Sequence, residues 1–297
     1  MKRVLIVIVL VVCAAVVGLW RSHGGVRAGL NRVMNGTGDS DAQAASVDEI
    51  RKTFELRPLE KVWIQGINGR VEIQTSDTKT AEVYVKRTGN TANSLQRRQM
   101  IVEQNPDGLL IRSKQVFNGV WDHLFGRDPK EEVVIKAPRQ IALQLRGVNG
   151  KVFASDIDGA LELRGLNGDA ALGQVGESLS LDGINGSVSV GLKKLDDRGA
   201  QIHGVNGGIE LRLAPGLNAD LTARGMNGSV KSETSDVTVE KIDWSKFSAR
   251  IGNGGPEIEI RGINGNVRLT RSDKAAAAPS DVEKSKAPAA AKSSKVD

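Results

Sequence analysis

Leu143-Gln144-Leu145-Arg146-Gly147-Val148-Asn149-Gly150-Lys151-Val152 returns eighteen residues later as Leu161-Glu162-Leu163-Arg164-Gly165-Leu166-Asn167-Gly168-Asp169-Ala170. The Gly-x-Asn-Gly centre of this stretch occurs seven times and places Asn68, Asn149, Asn167, Asn185, Asn206, Asn227 and Asn264 in equivalent positions. From Gly147 to Gly225 the first glycines follow one another at intervals of 18, 18, 21 and 21 residues. A period of this size marks one structural unit copied along the chain, each copy covering the apolar face of the next.

The flanks repeat with the motif. In four copies leucine or isoleucine stands two and four residues before the first Gly, as in Leu161 and Leu163 or Ile258 and Ile260. Three residues after the Asn comes Val71, Val152, Val188, Ile209, Val230 or Val267, with Ala170 the small exception. Such alternation predicts half-buried strands on both sides of the motif. Asn tolerates left-handed backbone and Gly enters it freely, so the Asn-Gly pair is expected to turn the chain. Two architectures fit. In a β-hairpin the pair is a type I′ loop. In a β-solenoid, resembling a parallel β-helix, it is a corner, and coils of 18–21 residues stack as parallel strands. The solenoid explains more, because it accounts for the constant coil length and for an Arg row (Arg146, Arg164, Arg224, Arg261) on one outer face.

Composition suits thin coils. Ten of 297 residues are aromatic and 34 are Gly. The net charge of +6 lies at the ends. Residues 1–28 hold four basic and no acidic side chains, and residues 271–297 hold six basic and four acidic ones. Taken from totals of 41 basic and 35 acidic, these leave 31 of each in residues 29–270. A nucleic-acid partner requires a concentrated basic surface, so none is expected. The single Cys13 excludes intrachain disulfides and Cys-based zinc sites.

Lys2 and Arg3 precede seventeen uncharged residues, Val4 to Trp20, the pattern of an export signal. The sequence thus divides into a hydrophobic helix at 1–20, acting as signal or transmembrane anchor, a flexible linker at 21–48, a β-repeat domain at 49–270 and a disordered tail at 271–297. An uncleaved anchor is favoured over a cleaved signal, with the body outside the cytoplasm and the membrane as partner. Within the body, 141–270 holds the regular coils and 49–140 an irregular capping part, in which Asn93 to Val102 carries helical spacing.

The opening Val62-Trp63-Ile64-Gln65-Gly66-Ile67-Asn68-Gly69, the segment Val133-Val134-Ile135-Lys136-Ala137-Pro138 and the coils that follow resemble the bacterial putative-adhesin family of β-strand repeats, known as toast-rack domains. The resemblance covers roughly 50–270. It implies a β-solenoid on the outer side of the membrane, and it brings no catalytic residues.

A search for chemistry is consistent with that. His23 lies in the linker, His203 takes the Arg position of its coil, and His123 has a single Asp beside it, too little for a metal site. Asp156-Ile157-Asp158 and Asp196-Asp197-Arg198 fall where turns are expected, and Asp is favoured there for its backbone hydrogen bonds. No catalytic, cofactor or metal residue is assigned. The segment 117–125 is the most unusual, with Phe117, Trp121 and Phe125 at four-residue spacing. As a helix they form one apolar stripe, either a plug for the end of the coils or a patch for a partner. The sequence therefore points to a non-enzymatic, exported scaffold or adhesion module facing an envelope protein or polysaccharide. The alternative from another class is a carbohydrate-active solenoid enzyme.

Overall fold

The computed structural model describes residues 46–90, 92–116 and 128–272. The leader expected at 1–20, the stripe of Phe117, Trp121 and Phe125, and the tail from 273 lie outside the described residues.

The chain begins with β1 (Ser46–Glu55), β2 (Glu60–Gln65), β3 (Gly69–Ser76), β4 (Thr80–Gly89), one turn of helix α1 (Ala92–Gln96), β5 (Arg98–Asn105), β6 (Gly108–Gln115) and β7 (Lys130–Pro138). The repeated coils follow as pairs of strands joined through the motif. These are β8 (Ile141–Asn149) with β9 (Val152–Ala154), β10 (Leu161–Asn167) with β11 (Ala170–Val175), β12 (Leu179–Asn185) with β13 (Val188–Leu192), and β14 (Ala200–Asn206) with β15 (Ile209–Leu213). Then come β16 (Ala219–Asn227) with β17 (Val230–Ser232), β18 (Val237–Lys241), β19 (Phe247–Ile251), and β20 (Glu257–Asn264) with β21 (Val267–Arg271).

The strands form two long mixed sheets. The strand before each motif lies in an eleven-stranded sheet and the strand after it in a ten-stranded one. The inward side chains of both sheets, such as Leu163 and Leu172, meet in one apolar core. Strands β8, β10, β12 and β14 pair in parallel and in register, Asn149 opposite Asn167 opposite Asn185 opposite Asn206. The hairpin alternative therefore fails, since it needs antiparallel neighbours.

The turn chemistry differs from the expectation in one respect. Among the described residues, Leu59 is the one non-glycine with positive φ, so no motif Asn enters the left-handed region. The glycines take it instead, and the two in each motif do different work. Gly165 has φ 65° and drops out of the pairing, which runs Arg164 opposite Asp182 and then Leu166 opposite Ile184. Gly183 does the same opposite it, so the register is kept while each strand turns two residues outward in succession and returns Leu166 and Ile184 to the core. Gly168, at φ 143°, starts the corner, and a Cβ there would lie 2.0 Å from the carbonyl oxygen of Gly150 in the preceding coil. The close stacking of coils thus requires glycine at that point.

Chain order also departs from simple succession. After β14 the next neighbour in the stack is β20, and β16 comes beyond it. At the other end β2 sits between β8 and β6. The strands between are antiparallel additions: β19 on β16, β5 on β6, and β4 on β7. Helical spacing over Asn93–Val102 is overridden by this pairing. Only Ala92–Gln96 is helical, and Arg98 and Val102 belong to β5, where Val102 is buried.

Candidate functional site

The motif asparagines meet along one corner edge. Each side-chain amide donates to the side-chain oxygen of the next: Asn227 to Asn264 at 2.8 Å, Asn264 to Asn206 at 2.9 Å, and Asn206 to Asn185 at 3.1 Å. The chain of bonds continues from Asn185 to Asn167 at 3.1 Å, Asn167 to Asn149 at 3.0 Å and Asn149 to Asn68 at 3.2 Å. All seven predicted positions thus form one ladder with its dipoles aligned, an arrangement in which successive bonds polarise one another.

The first rung has no motif beyond it, and a different device completes it. Asn68 donates its side-chain amide to Pro129 O at 3.1 Å and its backbone N–H to Glu131 at 2.9 Å. The Glu131 side chain is fully buried, with Arg98 at 3.6 Å and a hydrogen bond from the Ser113 hydroxyl. Arg98 also donates to Ser113 Oγ at 2.9 Å and to the Gly66 carbonyl. A buried carboxylate is tolerable when it is hydrogen-bonded on this scale.

The outer face of the eleven-stranded sheet carries the expected Arg row, interrupted. In space it runs Arg146, Arg164, Asp182, His203, Arg261, Arg224. Glu162 pairs with Arg146 at 3.1 Å and Arg164 at 2.6 Å, while Glu259 pairs with Arg261 and faces His203 at 3.6 Å. His203 is an outward repeat residue. The Asp clusters serve turns. Asp156 accepts the Gln174 backbone N–H at 2.8 Å, and Asp196 accepts that of Arg198 at 3.0 Å. The Arg198 side chain beside Asp196 holds its carboxyl below the usual range. Among the described residues no group of three or more His, Cys, Asp or Glu is arranged to hold a metal ion.

The outer face of the ten-stranded sheet holds a trench of about 680 Å³. Its floor follows the residue four places after each Asn, which reads Phe153, Ala171, Ser189, Glu210, Arg268 across β9, β11, β13, β15 and β21. Small side chains between large ones make the depression, and Lys151, Asp169, Ser187 and Asn266 rim it. At one end the Arg70 guanidinium stacks 4.4 Å from the centre of the Phe153 ring and is itself held by Glu72 at 2.7 Å. In the middle Ser189 donates to Glu210 at 2.7 Å and accepts from Arg212, which lies over the sheet to reach Leu172 O at 2.6 Å. Burial lowers the pKa of Arg212, against the attraction of Glu210 and Asp156. Hydrophobic periodicity does not register this trench; its signal in the sequence is the size profile of the fourth residue after each Asn.

The far end of the stack carries the most exposed aromatic among the described residues. Trp244 is 81% exposed at the tip of the β18–β19 hairpin, beside Ile242. The tip is ordered by Ile242 N–H to Lys246 O at 2.9 Å and by Asp243 accepting from Ser245 N–H at 2.8 Å.

No protein-family model matches the chain, and no curated protein does. Among solved structures, a putative cell adhesion protein from Clostridium sporogenes is 15% identical with a TM-score of 0.38, over 76% of this chain and all of its own. A putative adhesin from Parabacteroides distasonis is 11% identical with a TM-score of 0.26, over 75% and 97%. A putative lipid binding protein from the same organism is 9% identical with a TM-score of 0.22, over 76% and 95%. At these identities the case for function rests on this chain's own residues.

Proposed function

We propose that this chain is a non-catalytic binding module, a β-solenoid held to the outer side of the cytoplasmic membrane by its amino-terminal segment. The observation that carries the reading is the Asn ladder, seven rungs in register, beside an outward row in which Glu162 holds Arg146 and Arg164 and Glu259 holds Arg261. Side chains committed to neighbouring coils make a rigid display surface. Lys2, Arg3 and the uncharged run Val4–Trp20 support export and anchoring. An envelope polysaccharide or protein is the expected partner.

Protease added outside the cytoplasmic membrane should degrade the body, and the intact chain should stay with membranes after a high-salt wash. Recovery in the soluble cytoplasmic fraction would overturn export, whereas a shorter soluble envelope form would overturn the anchor alone. The purified full chain in detergent should retain envelope material. Turnover of a polysaccharide by that chain would establish the enzyme alternative instead.

A further inference from the structure

We propose that the trench on the ten-stranded sheet binds a neutral oligosaccharide of three or four residues, laid along the stack with Phe153 as its stacking platform. The proposal rests on the binding-module reading and names the ligand class and the face.

Charge selects against the other occupants. Lys151 and Arg268 face Asp169 and Glu210 along the trench, and Arg212 beside Ser189 is drawn to Glu210 and Asp156, so no surplus of cations builds up. A polyanion, whether nucleic acid or anionic lipid, needs a surplus of cations. A protein partner needs large apolar anchors, and the floor between Phe153 and Glu210 offers Ala171 and Ser189. Fixed carboxylates, hydroxyls and one aromatic ring, on a floor low enough for close approach, suit a polyhydroxylated chain with apolar ring faces.

Geometry supports the same class. From Phe153 to Arg268 the trench crosses four coil steps, roughly 19 Å at about 4.8 Å per step. One step is close to the length of one glycosyl residue, so each coil can present its own side chain to one residue of a glycan. The polar groups are held in advance. Glu210 is fixed by Ser189 at 2.7 Å, and Asp169 accepts the Ser187 backbone N–H at 3.0 Å. Phe153 is fixed by the Arg70 stack. Preorganisation of this kind lowers the ordering cost of binding.

The test uses the full chain in detergent on an array of neutral and acidic oligosaccharides, from monosaccharides to hexasaccharides. It includes β-1,4-linked glucose and N-acetylglucosamine series, alongside retention of native envelope material. Expected is retention of a neutral series that rises to the tetrasaccharide and then levels. Phe153→Ala and Ala171→Leu, the second filling the floor, should each weaken it at least tenfold, and Ala171→Leu should do so with its thermal midpoint unchanged. Retention unchanged in Ala171→Leu, or of acidic glycans alone, would overturn the trench proposal. If no array glycan binds while envelope material is still retained, the trench proposal fails and the binding module stands. Failure to retain either would overturn both.

Discussion

At the amino-terminal end of the stack Asn68 hands its two donors to Pro129 O and to the buried carboxylate of Glu131. At the other end Asn227 donates to Asn264, and no side chain among the described residues donates to its oxygen. The same contrast runs through the edges. The ten-stranded sheet starts with the ten-residue β1, whose alternating charged residues Asp48, Arg51 and Lys52 discourage further pairing, and stops at the three-residue β17. A repeat supplies partners for every coil except the outermost, so each end needs its own solution. One end replaces the missing neighbour with a buried polar network. The other shortens the last strand of the ten-stranded sheet and lays the β18–β19 hairpin on β16, and its sequence order places β20 inside the stack ahead of β16.

The largest expected effect breaks the closed end. Glu131→Ala leaves the Asn68 N–H without its acceptor and Arg98 without its buried partner, at a cost of about 3–5 kcal/mol. Chemical denaturation should show the loss, and hydrogen exchange should rise first in β2, β3 and β7. A cost below about 1 kcal/mol would mean that the network does not close this end.

Glycines rank next, and position in the stack should set their cost. Gly168→Ala places a methyl 2.0 Å from the Gly150 carbonyl oxygen between coils fixed on both sides, and should cost roughly 2–5 kcal/mol. Gly165→Ala meets its nearest backbone atom, Gly147 N, at 3.7 Å and should cost about 1–2 kcal/mol, the price of left-handed backbone alone. Gly228→Ala has the Gly265 oxygen at 2.0 Å, yet beyond its coil the ten-stranded sheet ends at β17 and only the β18–β19 hairpin pairs on, against β16. Its loss should be smaller than that of Gly168→Ala and confined to β16 and β17 in exchange. Equal costs at Gly168 and Gly228 would show that the open end is as rigid as the middle.

The regular coils were legible because each obeys one rule of alternation, and the period predicted that Asn149, Asn167 and Asn185 share an edge. What the sequence concealed was non-local. Nothing near Glu131 announces that it stands in for a missing coil, since its partners Asn68, Arg98 and Ser113 lie 18 to 63 residues away. The insertion of β20 before β16 is equally silent, because Gly262-Ile263-Asn264-Gly265 fits any rung as well as the last. The helical spacing at Asn93–Val102 misled because strand pairing with β6 outweighed it. The trench was written in side-chain size, a signal that periodicity does not weigh.

The ladder itself is expected to discriminate between middle and end by hydrogen-bond count. Asn185→Ala removes two side-chain bonds and should cost about 1–2 kcal/mol, while Asn227→Ala removes one and should cost about half as much. Equal values from thermal unfolding would deny that the rungs act through these bonds. Acid titration makes a finer comparison. Hydrogen bonds from Gln74 and Arg70 hold the Glu72 carboxyl below its ordinary value of 4.5, against partial burial. A depressed carboxylate stabilises the fold above its unfolded pKa, and the contribution is lost as pH falls from about 4.5 through the lower folded value. Asp236 near β17 is also held down, first by its own backbone and then, against slight desolvation, by Arg271. Solvent screens that half-exposed pair. Glu72→Gln should therefore flatten the acid limb of the stability curve, and Asp236→Asn should leave it nearly unchanged.

The smallest expected effect belongs to Trp244. A tryptophan buried at the end of a core costs several kcal/mol when truncated, but this ring is 81% exposed on a hairpin whose shape is fixed by backbone bonds. Trp244→Ser should therefore move stability by less than about 0.5 kcal/mol, the usual range for a surface change. Calorimetry on the full chain measures this directly, and sedimentation of the same samples reports whether copies associate through that end. A loss above about 1 kcal/mol would show that Trp244 is covered in the whole protein. The carboxy-terminal end would then be closed by an added surface, and the contrast between the two ends would lie in how they are covered, one by a network within the repeat and the other by a segment or copy laid over it.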